Sequence, residues 1–364
     1  MNEHLYCVIM AGGKGARFWP ISRKMMPKQF LTFSPRGKTF LRMTYERFLG
    51  LVPKENIIVV SVTRYRDEVK RQLPELSDEN LLLEPHSRNT APCIAFATAE
   101  ILRRDPQGVF VVTPSDLLIF DQEAFSEAIE KSFAYASENP SLIALGVVPS
   151  RPDTNFGYIQ AVGGASAVQS GQIVGIKTFT EKPDAELAEV FVKSGEFLWN
   201  AGIFIWQAEV IKEEMQKFCP EIIDSFNGWA DVCGTDAASD FLENIYSACK
   251  RDSIDYTVME RTERACVYPV KFTWDDIGNW DTLYKYIEDK DEERNAISVD
   301  STLLRDTSDC IIYSNQKRKL IAVNGLEHYA VIDTGDVLMI CPRDDKHLKE
   351  ITSNIGLPDY EEFR

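Results

Sequence analysis

The sequence predicts an α/β protein: a Rossmann-like mixed, mainly parallel sheet flanked by helices, followed by a small all-β C-terminal domain. Three observations predict this. Short apolar runs rich in β-formers alternate with helical stripes over the first two-fifths of the 364 residues, the spacing that βαβ units require. A run of seven charged residues, 288–294, follows the last strong helical pattern and reads as a solvated helix end or linker. Beyond Asn295 helical patterns almost vanish, and short strands separated by Asp, Asn, Ser and Gly take their place. The expected domains are therefore 1–290 and 291–364.

Along the chain, residues 5–10, 57–62, 81–83 and 109–113 are apolar runs bounded by turn residues and read as buried parallel strands. Residues 40–48, 65–72 and 91–104 read as helices, the last carrying Ile94, Ala97, Thr98, Ile101 and Leu102 on one stripe. Residues 123–139 repeat that pattern with Phe125, Ala128, Ile129, Ser132, Phe133 and Ala136, and 142–148 is a further strand. From about Arg151 the texture is more irregular: strands at 157–162, 173–181 and 202–206, helices at 185–194 and 208–218, and an amphipathic helix at 280–288. The final strands are 296–299, 310–313, 319–323, 330–333 and 337–340. Asp306-Thr307 and Asp333-Thr334 recur 27 residues apart, a faint sign of a coil repeat of the β-helix kind.

The net charge of −16 and pI near 4.8 argue against nucleic acid or an anionic membrane as partner, since both call for broad basic surfaces. No window approaches the roughly 18 apolar residues of a membrane span, and the N-terminus carries no pattern of a secretory leader. Eight cysteines without a C-x-x-C pair suit reduced thiols in the cytoplasm. The four histidines have no zinc-ligand spacing.

Within that acidic chain lies a basic island. Between His4 and Tyr45 stand eight Lys or Arg and no Asp or Glu, leaving the remainder of the chain at −24, eight below its total of −16. The island begins where strand 5–10 delivers the backbone to Ala11-Gly12-Gly13-Lys14-Gly15-Ala16-Arg17 and continues to Pro27-Lys28-Gln29-Phe30. Glycines let backbone N–H groups approach a phosphate closely, and Arg17 and Lys28 supply charge. The loop lacks the Ser or Thr of a P-loop after its lysine, and Phe18 stands where a dinucleotide fingerprint has its third glycine. A polyphosphate surface near the N-terminus is the reading that remains.

Other polar groups sit in apolar settings. Asp116 follows strand 109–113, at the strand end where open α/β sheets bind ligands; its structural alternative is a cap of the next helix. Asp275 and Asp276 lie among Phe272, Trp274 and Trp280, either as caps of the helix near Trp280 or as oxygen donors. Mg²⁺ takes only one or two carboxylates and completes its shell with water and phosphate, so one Asp from each segment suits it. Glu84, Arg88, Asn89 and Thr90 join a strand to a helix, with Asn89 or Thr90 available as its cap. Gly157-Tyr158, Glu181-Lys182 and Asn200 are amide, acid, base and aromatic-flanked turn residues of the kind that hold sugars.

Taken in order, Ala11 to Pro20, Pro27-Lys28-Gln29-Phe30, Glu84-Pro85 with Arg88-Asn89-Thr90-Ala91-Pro92, Glu181-Lys182-Pro183, Asn200 to Phe204 and Trp274 to Trp280 resemble the signatures of the sugar-1-phosphate nucleotidylyltransferases. Trp19-Pro20 and Ser22-Arg23 resemble the mannose-1-phosphate guanylyltransferase branch of that family. The resemblance spans essentially the whole chain. It implies the nucleotidyltransferase, GT-A-like fold and Mg²⁺-dependent transfer of GMP from GTP to α-mannose 1-phosphate, without the isomerase domain fused to many bacterial members. Carried over by position, it implies that Gly12, Gly13 and Gly15 wrap the triphosphate while Arg17 and Lys28 act on the leaving pyrophosphate. Asp116 and Asp276 would hold the metal, with Asp275 as second choice. Glu84, Arg88, Asn89 and Ser115 would line the nucleoside pocket, and Gly157, Tyr158, Glu181, Lys182 and Asn200 the sugar phosphate. Leu117 departs from the family pattern, which usually has His after the metal-binding Asp. The rival readings are a nucleotidylyltransferase for another hexose 1-phosphate or NTP, and a non-catalytic nucleotide-sugar sensor. The C-terminal module is also expected to form a homodimer.

Overall fold

A computed structural model describes residues 2–13, 18–32, 37–355 and 357–363. The chain folds as two compact units, residues 1–12 with 41–275, and residues 13–40 with 276–364.

The first unit is built on a nine-stranded mixed sheet. Its strands are β1 (Leu5–Met10), β2 (Ile57–Val62), β3 (Leu81–Glu84), β4 (Val109–Pro114), β6 (Leu142–Val147), β7 (Tyr158–Ala161), β8 (Val174–Thr180), β9 (Phe197–Gln207) and β10 (Ala265–Val270), in the order β3-β2-β1-β4-β9-β6-β10-β8-β7. Parallel pairing joins β3, β2, β1 and β4, and separately β6 and β10. β9 runs antiparallel to both β4 and β6 and pairs also with β7. A short antiparallel ribbon, β5 (Leu118–Ile119) with β11 (Trp274–Asp275), stands apart from the main sheet.

Helices α1 (Phe40–Phe48), α2 (Arg66–Gln72), α3 (Thr90–Arg104), α4 (Gln122–Glu138), α5 (Gly164–Ser170), α6 (Ala185–Ser194), α7 (Ala208–Phe218), α8 (Pro220–Ile223), α9 (Trp229–Val232) and α10 (Ala237–Ala248) connect these strands. The stripe of α3 packs with Val8, Phe110, Phe204, Trp206 and Val267 in one core, which is why that helix carries its apolar residues at helical spacing. No described helix is long and apolar enough to cross a membrane.

Helix capping falls to residues other than the candidate ligand acids. Asp121, not Asp116, caps α4, accepting from Ala124 N–H at 3.0 Å. In the second unit Asn279 caps α11 (Trp280–Tyr286) through Thr282 N–H at 2.8 Å, so capping does not explain Asp275 or Asp276. At α3 neither expected cap forms: Asn89 makes no side-chain cap, and Thr90 Oγ1 accepts from Ile254 N–H at 2.9 Å.

The second unit reaches back past the expected 290/291 boundary because residues 18–32 pack on the C-terminal part. Phe18 meets Trp280 edge-on at 5.2 Å, Trp19 Nε1 donates to Phe363 O at 2.8 Å, and the Arg23 guanidinium grips Asp336 with bonds of 2.6 and 2.7 Å. Strands β12 (Ala296–Ser298), β14 (Ile311–Ser314) and β16 (Tyr329–Asp333) stack in parallel, and β17 (Leu338–Pro342) adds antiparallel to β16. β13 (Ser301–Arg305) and β15 (Leu320–Asn324) form a second parallel pair. This is a β-helix-like coil around Cys310, Ile312, Ile321 and Val331. Stacked partners Ala296, Ile311 and Ala330 are 15 and 19 residues apart, so the 27-residue recurrence of Asp-Thr is not its period. A helix, α12 (Asp345–Ile355), follows where helices were expected to be nearly absent.

Candidate functional site

The glycine loop starts where the end of β1 is tied to β2: Ala11 N–H donates to Val60 O at 2.7 Å and Ser61 Oγ to Ala11 O at 2.9 Å. A Cβ at Gly12 would lie 3.1 Å from Glu84 Oε2, so the bare glycine lets the end of β3 close against the end of β1. Lys14 to Arg17, including Gly15 and Arg17, lie outside the described residues. In the second unit Gly13 O accepts from Gln29 Nε2 at 3.1 Å.

Glu84 is 3% exposed, and its Oε1 has no hydrogen-bond partner. Burial pushes its carboxyl up to about 8, because the charged form has lost water and the Tyr246 hydroxyl, which favours that form, offsets only part of the loss. The neighbouring turn is strained: Asn89 has φ 73° and ψ −164°, a region that is almost a glycine preserve. Arg88 is turned to the C-terminus of α10, where Nε donates to Tyr246 O at 2.8 Å and Nη2 to Ser247 O at 3.4 Å. Those are carbonyls that a helix end leaves without partners.

Ser115, Asp116 and Leu117 are pinned by their backbone. Ser115 N–H donates to Met10 O at 3.1 Å, Thr44 Oγ1 to Ser115 O at 3.2 Å, and Arg47 Nη2 to Leu117 O at 3.2 Å. Leu117 is buried at 3% exposure. Asp275, buried at 6%, stands opposite Leu118 in the β5–β11 ribbon, which brings it beside the Asp116 segment. In the second unit Lys28, 4% exposed, places Nζ 2.8 Å from Asp276 Oδ1 and 5.2 Å from the centre of the Phe40 ring.

The sugar-type residues converge in the first unit. Gly157 O accepts from Asn200 N–H at 2.8 Å, and a Cβ on Gly157 would sit 2.3 Å from Glu181 Oε2. Lys182 ion-pairs with Glu181; burial opposes its charge, but the carboxylate holds its pKa above the ordinary value. Tyr158 is different: its side chain is fully buried and its hydroxyl accepts from Asp153 N–H at 3.0 Å, while its backbone runs in β7 between Thr180 of β8 and Trp199 of β9. Phe156 lies against Trp199 and Trp274, with ring centres 5.1 and 4.9 Å away.

The structure adds two acids. Asp255 Oδ1 accepts from Asn200 Nδ2 at 2.9 Å, and Glu260 Oε1 accepts from Glu181 N–H at 3.2 Å. Burial, then the charge of Glu181, push Asp255 up to about 7, and burial also raises Glu260. The signal that picked out Asn200 was present here too: Asp255 is an acid between Ile254 and Tyr256, ahead of Val258 and Met259. Among the described residues, three side chains, Asp309, Glu327 and His328 in the coil, form a group of three or more near enough to share an ion. Arg294 already engages Asp309.

Residues 6–293 match the family described as nucleotidyl transferase, and residues 295–353 match the mannose-phosphate isomerase/GMP-like β-helix domain. A Klebsiella pneumoniae protein named mannose-1-phosphate guanylyltransferase is 36% identical over 343 residues, 93% of this chain and 70% of that protein. The alginate biosynthesis protein AlgA of Pseudomonas syringae pv. tomato is 34% identical over 340 residues, 93% of this chain and 68% of that protein. A crystal structure from Thermus thermophilus, described as a mannose-1-phosphate geranyltransferase, superposes with a TM-score of 0.83 at 30% identity, covering 97% of this chain and 100% of that one.

Proposed function

This chain belongs to the nucleotidyl transferase family, and from that premise we propose that it transfers GMP from GTP to α-D-mannose 1-phosphate, releasing GDP-mannose and pyrophosphate. The observation that carries the choice of base is the buried, unpartnered Oε1 of Glu84 beside Gly12. An orphaned acceptor at the end of a parallel strand calls for a ligand with donors, and the Watson–Crick edge of guanine offers an N–H and an NH₂ side by side. The names of the relatives support the choice of sugar.

The nucleophile is an oxygen of the sugar phosphate, whose second pKa of about 6 leaves it ionised at neutral pH. It needs no general base, so the protein's task is to bring two anions together and stabilise the leaving pyrophosphate. Gly12, Gly13 and Gly15 offer backbone to the triphosphate. Arg17 and Lys28 take charge on the pyrophosphate side, and Lys182 neutralises the sugar phosphate. Ser115, Arg88 and Asn89 shape the nucleoside pocket, Arg88 by fixing the turn. Glu181, Asn200 and the Gly157-Tyr158 turn hold the sugar. Asp116 and Asp276 have the oxygen donors that Mg²⁺ takes and no capping duty; a bound Mg²⁺ would neutralise phosphate charge. Asp275 is the alternative to Asp276.

Pyrophosphate release measured across pairs of NTP and hexose 1-phosphate tests the reading. GTP with mannose 1-phosphate should be the fastest pair, and faster turnover of another pair, or none with any, overturns it. Lys28→Ala should lower kcat about 10²-fold or more and Asp276→Asn should raise the Mg²⁺ needed for half-maximal rate. Near-normal turnover removes Lys28 from the mechanism, and an effect of Asp275→Asn alone moves the metal to Asp275.

Eight free thiols suit a cytoplasmic setting. The expected homodimer is supported by apolar side chains exposed on the coil strands, Leu303, Leu320, Leu338 and Ile340. Light scattering that gives a single-protomer mass refutes it.

A further inference from the structure

Asp255 is held more firmly than a surface acid needs to be. The residues before it are tied to the turn that opens α3: Asp252 N–H donates to Arg88 O and Ala91 N–H to Asp252 O, both at 3.1 Å, while Ile254 N–H donates to Thr90 Oγ1 at 2.9 Å. Asp255 then opens a π-helical turn, Asp255–Met259, a local geometry that recurs at functional sites. Its partner Asn200 is fixed in turn, since Asn200 Oδ1 accepts from Gly202 N–H at 3.0 Å while Nδ2 donates to Asp255 Oδ1 at 2.9 Å. These two bonds settle which way the amide points and leave one N–H of Nδ2 for a ligand. Among the described residues no lysine or arginine ion-pairs with Asp255, and no other side chain hydrogen-bonds to its carboxylate.

An amide at this position would serve Asn200 equally well and would avoid a charge next to Glu181. The fold instead gathers three carboxyl groups, Glu181, Asp255 and Glu260, with Lys182 ion-paired to Glu181. Burial and the charge of Glu181 push Asp255 up to about 7, the cost of that crowding. Crowded acceptors beside a single lysine suit a ligand with several hydroxyl donors and one phosphate.

We propose that Asp255 is a specificity-determining residue of this pocket: its second carboxylate oxygen accepts a ring hydroxyl of the hexose phosphate while the remaining Asn200 N–H donates to the neighbouring hydroxyl. The pair grips a vicinal diol and so sets the choice of sugar. This rests on the nucleotidyl-transfer reading above and names a determinant within it.

The test is steady-state pyrophosphate release by the full chain and by Asp255→Ala and Asp255→Asn. Mannose 1-phosphate, its monodeoxy derivatives, glucose 1-phosphate and galactose 1-phosphate are varied at saturating GTP, with melting temperatures recorded. Asp255→Ala should raise KM for mannose 1-phosphate about tenfold or more and flatten the preference among the sugars by a similar factor, with KM for GTP unchanged. One deoxy derivative should lose affinity with the wild-type protein but show no further loss with the variant. If Asp255→Ala does not fold, Asp255→Asn, which keeps an oxygen for Asn200, decides the matter by the same readouts. Sugar-phosphate KM and sugar preference equal to wild type, or an equal rise in KM for GTP, overturns the proposal and leaves the nucleotidyl-transfer reading standing. If the wild-type protein prefers another hexose 1-phosphate, the choice of mannose falls, and a selective rise in KM for that sugar sustains Asp255.

Discussion

Gly157 and the Glu181 carboxylate share a space that admits only one of them with a side chain. Gly157→Ala would put a methyl group 2.3 Å from Glu181 Oε2, and the carboxylate, at the end of a flexible chain, is what must move. Stability should change by less than about 1 kcal/mol, while KM for the sugar phosphate rises about tenfold; an unchanged KM would mean that Glu181 is not held where the sugar binds. Glu84 makes a prediction in pH. Its carboxyl titrates near 8 in the fold against an ordinary 4.5, so between those values the folded state keeps a proton that the unfolded chain has lost. Stability therefore falls as pH rises from about 4.5 to about 8, by at most about 5 kcal/mol for a shift of this size. Glu84→Gln should flatten that decline, and melting curves from about pH 5 to 9 that stay parallel to wild type would show that Glu84 ionises freely in the fold.

Helix α1 does more than cover the sheet, because its Thr44 and Arg47 hold the carbonyls of Ser115 and Leu117 on either side of Asp116. Arg47 is buried against the Phe125 ring, with its pKa pulled down to about 10 by desolvation. Arg47→Met should cost about 1–3 kcal/mol through the carbonyl it orphans and raise the Mg²⁺ requirement by loosening Asp116; an unchanged requirement would make the contact purely structural. At this scale the sequence was legible wherever one element has one periodic face. α1, α6, α7, β1 and β2 run over the residues that the pattern predicts. β10 was missed because Pro269 argues against a central strand, yet it pairs between β6 and β8, with Pro269 opposite Gly146. α10 lacks a long apolar stripe, and β9 begins five residues before the predicted 202–206 segment. Residue types marked Glu181 and Asn200 as ligand groups, but partners at long separation, such as Asp255 on Asn200 or α10 on Arg88, have no signature in a single sequence.

On the scale of the whole molecule, the order of strands in space departs from their order in the chain. β9 stands between β4 and β6 although it begins 83 residues after β4 ends. Until Phe197–Gln207 has been made, the inner edges of β4 and β6 have no neighbour, and both strands are apolar almost throughout. Unpaired apolar edges are templates for other chains, and closing so long a loop is slow. A fragment of residues 1–196 should therefore be insoluble when expressed alone, and a soluble, folded fragment would contradict the central role given to β9. For a growing polypeptide, the interval between synthesis of β6 and arrival of β9 is the period of greatest exposure to misassociation. Protection by a chaperone, or slower expression, should improve the yield of this protein more than any stabilising change at its surface.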